Sequence, residues 1–169
     1  MRHKALHRNG FTLIELTIAI SIATLVAGAS LAAWFQLATT RARSSDYMTA
    51  YGQVQNAGYW FSRDAVQLNE EPDIVSPPPA EFQSLTLQWD AGWPSTHHTV
   101  VYTLISGELR RTEGATSVVI ARYIDSNPSS TNCTWSDGVL ALKVTAEVGE
   151  PTVRTATRTY KVEPRVPIP

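Results

Sequence analysis

Glu15 is the residue whose type and position most need a chemical explanation. It is the one charged side chain between Phe11 and Ala38, in a run that opens Asn9-Gly10-Phe11-Thr12-Leu13-Ile14-Glu15-Leu16-Thr17. A carboxylate near the middle of a membrane helix costs roughly 2.5–3.5 kcal/mol, and less toward the interface. An acid kept in such a place points to a partner. Ahead of the run sits a short basic head with Arg2, His3, Lys4, His7 and Arg8.

Other candidate chemistry is thinner. His97 and His98 with Asp90 suggest a metal site, but adjacent histidines on a strand point to opposite faces, and a polar turn before a strand is the preferred reading. Asp125, Asn127, Asn132 and Asp137 are oxygen donors in one loop region, the kind calcium takes. Their spacing matches no calcium-loop signature, so a solvated loop is expected. No Ser/His/Asp or Cys/His spacing suggests a nucleophile. The sequence therefore leads to no catalytic residue, no metal and no cofactor.

Gly10-Phe11-Thr12-Leu13-Ile14-Glu15-Leu16 resembles the processing site of type IV prepilins and type II secretion pseudopilins. The resemblance rests on the basic leader, the Gly, the Phe, the Glu at the fifth position counted from Phe11, and the uncharged run after it. It implies that a membrane aspartyl protease, the prepilin peptidase, cuts between Gly10 and Phe11 and methylates the new amino group of Phe11. It implies further that Glu15 guides subunit assembly, that the partners are other pilin or pseudopilin subunits, and that the chain is a structural subunit rather than an enzyme. Elementary chemistry agrees with those residue types. A glycine lets the backbone lie close to a protease. The new α-amine would be a cation four residues before Glu15, about 6 Å along a helix. Pairing that amine with the carboxylate, within one subunit or between neighbours, selects register as much as it stabilises.

The chain departs from the family in two ways. Many pilins carry a Cys pair, whereas Cys133 stands alone, so stability must come from packing and the thiol is expected to be buried. Major pilins often have a Pro about twenty-two residues into the mature chain, where Ala32 stands here. Arg63-Asp64 and Val101-Tyr102-Thr103-Leu104, then Glu108-Leu109-Arg110-Arg111 after a turn, look like the minor pseudopilins called J-like. Two rival readings stay open. One is a membrane-anchored binding module, adhesin-like or for DNA uptake. The other is a secreted soluble domain beginning at Ser30, released by cleavage after the small-x-small stretch Ala27-Gly28-Ala29.

The 169 residues carry a net charge of −1, and removing the three leader cations leaves 11 basic against 15 acidic residues, a net of −4. That balance does not suit a nucleic-acid partner. Residues Phe11 to Ala38 can span a bilayer, which needs about 20 apolar residues. The hydroxyls of Thr12, Thr17, Ser21, Thr24 and Ser30 can bond back to helix carbonyls. Ala19, Ala23, Ala27 and Gly28 would let helices approach closely. The leader charges place the N-terminus in the cytoplasm and the C-terminal part outside, and the resemblance implies that the chain sits in the cytoplasmic (inner) membrane and is then assembled into a filament.

The helix is expected to continue to Asn69. Tyr47, Tyr51, Val54, Gly58, Phe61, Ala65 and Leu68 recur at spacings of 4, 3, 4, 3, 4 and 3, one face of a helix. Glu70-Glu71-Pro72 and Pro77-Pro78-Pro79 then make a loop. Strands are predicted over Phe82–Trp89, Thr99–Ile105, Glu108–Thr112, Ser117–Ile124, Val139–Glu147 and Val153–Val162, with a hairpin turn at Ser106-Gly107 and a loop over Asn127–Asn132. The five tryptophans, at 34, 60, 89, 93 and 135, are expected mainly to fill core. The organisation predicted is α+β: a leader over 1–10, a membrane or filament-core helix over 11–38, and an extracytoplasmic head over 39–169 in which the helix packs on an antiparallel sheet.

Overall fold

In the computed structural model, the described residues are 12–75, 84–91 and 96–165. One helix, α1 (Leu13–Ala65), is followed by eight strands: β1 (Asp73–Val75), β2 (Ser84–Ala91), β3 (Thr96–Ile105), β4 (Glu108–Glu113), β5 (Thr116–Ala121), β6 (Asn132–Ser136), β7 (Val139–Val148) and β8 (Arg154–Val162). This is the α+β, pilin-like arrangement the sequence leads one to expect. The chain divides into two compact units, one reaching Ala42 and one starting at Arg43. In the first, every described residue is exposed. The hydroxyls of Thr17, Ser21 and Ser30 donate to Ile14, Thr17 and Val26 carbonyls at 2.9, 2.8 and 2.8 Å. A polar side chain satisfied inside its own helix does not oppose an apolar environment.

In the second unit the strands form two antiparallel sheets, β1-β2-β3-β4-β5 and β6-β7-β8. Just after β5, Ile124 forms an isolated antiparallel bridge with Ala146 of β7. The inner faces of the sheets alternate as strands must: Leu85, Leu87 and Trp89 on β2, Val100, Tyr102 and Leu104 on β3, Leu140, Leu142 and Val144 on β7 are buried. The helix covers both sheets with Ala50, Val54, Ala57, Phe61 and Ala65. Asn56 donates to the Ile120 carbonyl at 2.5 Å and Gln53 accepts from the Arg122 N–H at 2.7 Å, tying α1 to the end of β5. On the other flank Tyr160 of β8 donates to the Val54 carbonyl at 3.1 Å.

Several expectations need correction. The helix stops at Ala65, four residues before Asn69, because Gln67 and Leu68 bond to Asp64 and Ala65 in three-residue turns. Tyr47, counted into the buried stripe, is 48 % exposed, since core burial begins at Ala50. His97 and His98 lie within β3 rather than in a turn before it. Two short strands go beyond the predicted set, β1 directly after Pro72 and β6 starting inside the expected loop. The β6–β7 turn, Asp137-Gly138, has φ of 55° and 76°, as does Ser106-Gly107 with 51° and 76°. Both are two-residue turns of the mirror-image kind that antiparallel hairpins favour. Cys133 is buried, and burial pushes its thiol pKa up to about 12.

Gly58 explains how close β8 comes to the helix. A Cβ there would overlap the Tyr160 ring. Gly52, by contrast, faces open space. Gly58→Ala is expected to destabilise the head by about 1–3 kcal/mol through overpacking. A chemical-denaturation midpoint measures it, and Tyr160→Ala in the same chain should recover part of the loss if that contact is the cause.

Candidate functional site

The N-terminal candidates come first. Gly10 and Phe11 lie outside the described residues. Glu15 falls in the first turn of α1, where it meets Thr12 in a way that its isolation in an apolar run does not suggest. The Thr12 backbone N–H donates to Glu15 Oε2 at 3.0 Å, and the Glu15 N–H donates back to Thr12 Oγ1 at 3.3 Å. The Thr12 hydroxyl also donates to Glu15 Oε2, at 2.9 Å. This is a capping box, in which two otherwise orphaned helix donors are satisfied reciprocally. Its signal, Thr-x-x-Glu before an apolar run, stands in the sequence. The box uses Oε2 of Glu15 and fixes the carboxylate at the helix N-terminus, where negative charge is favoured. Oε1 makes no hydrogen bond among the described residues, so the capped carboxylate keeps one oxygen for another donor.

A second polar constellation lies in the head. Asp64, in the last turn of α1, is 1 % exposed. Arg111 of β4 grips it with Nε at 2.6 Å from Oδ2 and Nη2 at 3.1 Å from Oδ1, and the Tyr102 hydroxyl of β3 donates to Oδ2 at 2.5 Å. Arg111 also reaches Glu113 at 2.8 Å and stacks over Trp60 at 5.1 Å. The Asp64 hydrogen bonds hold the Arg111 guanidinium protonated well above its usual range. Burial first, and the Asp64 charge second, push the Tyr102 phenol up. The arrangement is a clamp between the helix end and the sheet, with its polar atoms spent on one another.

Glu113 continues the chain outward to His98, at 3.3 Å, and His98 stacks on Trp89 with ring centres 5.5 Å apart. The hydrogen bond from Arg111 chiefly holds the Glu113 carboxyl below its usual 4.5. A depressed folded pKa gives stability that is present above about 4.5 and is lost as pH falls through the folded value. Glu113 is 40 % exposed at its side chain, so solvent screening keeps the effect below about 1 kcal/mol. Urea midpoints between pH 6 and pH 3 should fall slightly less steeply in Glu113→Gln than in the parent chain.

His97 pairs with Asp90 at 3.0 Å, on the face opposite His98. Asp125 accepts from the Asn127 N–H, and Asn127 from the Ser129 N–H, both at 3.0 Å, as turn-forming groups do. Asn132 donates to the Pro128 carbonyl, and Asp137 belongs to the separate β6–β7 turn. Among the described residues no three His, Cys, Asp or Glu side chains gather as a metal site would require.

Residues 6–31 match the family model of the prokaryotic N-terminal methylation motif. The matched segment contains Gly10, Phe11, Thr12 and Glu15 and runs into a helix long and apolar enough to cross a membrane. The match supports the pilin and pseudopilin family, whose members are structural subunits rather than enzymes. No curated protein and no solved structure matches the chain.

Proposed function

We propose that the chain is a minor pilin or pseudopilin, a structural subunit of a type IV pilus or a type II secretion pseudopilus. The observation that carries this is the methylation motif over residues 6–31, which extends into the exposed apolar first half of α1. In this reading residues 1–10 are a leader, prepilin peptidase cuts between Gly10 and Phe11, and the Phe11 amine is methylated. Residues 11–38 cross the cytoplasmic membrane once and later pack with sister subunits. Residues 39–169 form the extracytoplasmic head. Glu15, held by Thr12, offers its free oxygen to the N-terminal amine of a neighbouring helix. The resemblance of Arg63-Asp64 and the β3–β4 hairpin to J-like minor pseudopilins favours a minor role.

The test is the intact mass and N-terminal sequence of the protein from native membranes. A chain starting at N-methylated Phe11 is the expected result. A chain starting at Ser30 would make it a secreted domain and end the assembly role of Glu15. Gly10→Leu should leave the full-length form in the membrane, and a normally sized product from that variant would count against the assigned cut.

A further inference from the structure

β8 ends its sheet, with β7 on one side and, among the described residues, no strand on the other. Alternate residues of such an edge turn their N–H and C=O groups away from the sheet, ready to pair. At nine residues β8 is the longer of the two edges of its sheet, and it contains neither the proline nor the bulge that commonly blocks an edge. Beside it runs a groove of about 480 Å³, walled by Gly58, Tyr59, Ser62 and Arg63 of α1, by Val66 just after it and by Tyr160 of β8. A strand added to β8 would turn every second side chain to the helix-facing side, and those beside Tyr160 would enter that groove.

Charge says what those side chains are. Arg154 and Arg158 share the helix-facing side of β8 with Tyr160, and Arg63 stands on the opposite wall. Arg158 donates to the Tyr51 hydroxyl at 2.8 Å, and Arg63 lies over Trp60. Arg154 Nε is buried with no hydrogen-bond partner among the described residues. Among those residues none of the three arginines pairs with a carboxylate. We propose that the β8 edge is a strand-acceptor site for an extended acidic segment of another protein. Its backbone would pair with β8, and its alternate acids would meet Arg63, Arg154 and Arg158. This does not depend on how the N-terminal segment is processed.

The probe is a synthetic nine-residue peptide alternating glutamate with threonine, added to the full chain in detergent micelles. Amide hydrogen exchange across Arg154–Val162 should slow by about tenfold or more at saturation. Two control peptides, one with alternate amides N-methylated and one with lysine in place of glutamate, should each bind at least about tenfold more weakly. So should the acidic peptide to a chain carrying Arg63→Glu and Arg158→Glu, whose own exchange pattern reports that it folds. Equal binding of the N-methylated peptide, or no slowing of β8 exchange at millimolar acidic peptide, overturns the proposal. Concentration-dependent protection of β8 without peptide would mean that a second copy occupies the edge, and overturns it too.

Discussion

Asp64→Ala is expected to remove about 3–5 kcal/mol of stability from the head, the largest effect of any single substitution here. The reason is what stays behind. Arg111 keeps its charge, its side chain is only 12 % exposed, and it loses two hydrogen bonds at once. The Tyr102 hydroxyl, itself buried, loses its acceptor. Glu113 still pairs with the guanidinium, at 2.8 Å, but from its exposed side. A loss of this size is a large share of the roughly 5–15 kcal/mol that holds a domain together. Denaturation of the parent, Asp64→Ala, Arg111→Met and the double variant closes the cycle. The two single losses should exceed the double loss by about 1–3 kcal/mol, because removing both charges leaves none orphaned. Additive losses would mean that the two groups are not coupled.

Glu15→Val should leave cleavage and membrane insertion intact and lower filament incorporation by about tenfold or more. Insertion becomes easier, since a cost of roughly 2.5–3.5 kcal/mol at most is removed. What is lost, in the proposed assembly, is the charge that would select register. The capping box gives Glu15 a second role, because it also satisfies the Thr12 N–H. Glu15→Gln separates the two roles, as an amide can still cap but cannot pair with a cation. Incorporation as poor in Glu15→Gln as in Glu15→Val assigns the role to charge. Normal incorporation of Glu15→Gln assigns it to capping, and the proposed pairing with a neighbouring amine fails. Thr12→Val, which removes the hydroxyl at a cost of about 1 kcal/mol of helix start, should be the mildest of the three. Subunits sheared from filaments and quantified against total membrane subunit give the measure.

Periodicity carries most of the fold into view. The helical stripe from Val54 to Leu68 is buried as its spacing requires, and the alternation in Val139–Glu147 marks β7 within a residue. Local turn chemistry adds more than the alternation alone provides. Asp137-Gly138 is a hairpin signal as clear as Ser106-Gly107, and it implies a strand before β7, which is where β6 lies with Cys133 facing inward. Thr12-x-x-Glu15 is likewise a local signature. The Asp64 clamp is out of reach for a different reason. Its partners lie 38 and 47 residues away along the chain, and no local pattern specifies which buried acid meets which distant arginine. Tyr47 fits the stripe in sequence but falls outside the core, because a periodic face does not say where its covering sheet ends.

No described residue before Ala50 is buried, so the packing free energy of the head resides in Ala50 and the residues after it. Whatever takes up the apolar surface of the first half of α1 adds no term to that packing. In the proposed assembly, moving the segment from lipid into a bundle of sister helices would be a change of solvent for one cylinder whose Thr17, Ser21 and Ser30 hydroxyls are already satisfied. On the proposed reading, such a transfer would leave the buried core of the head, which begins at Ala50, unchanged.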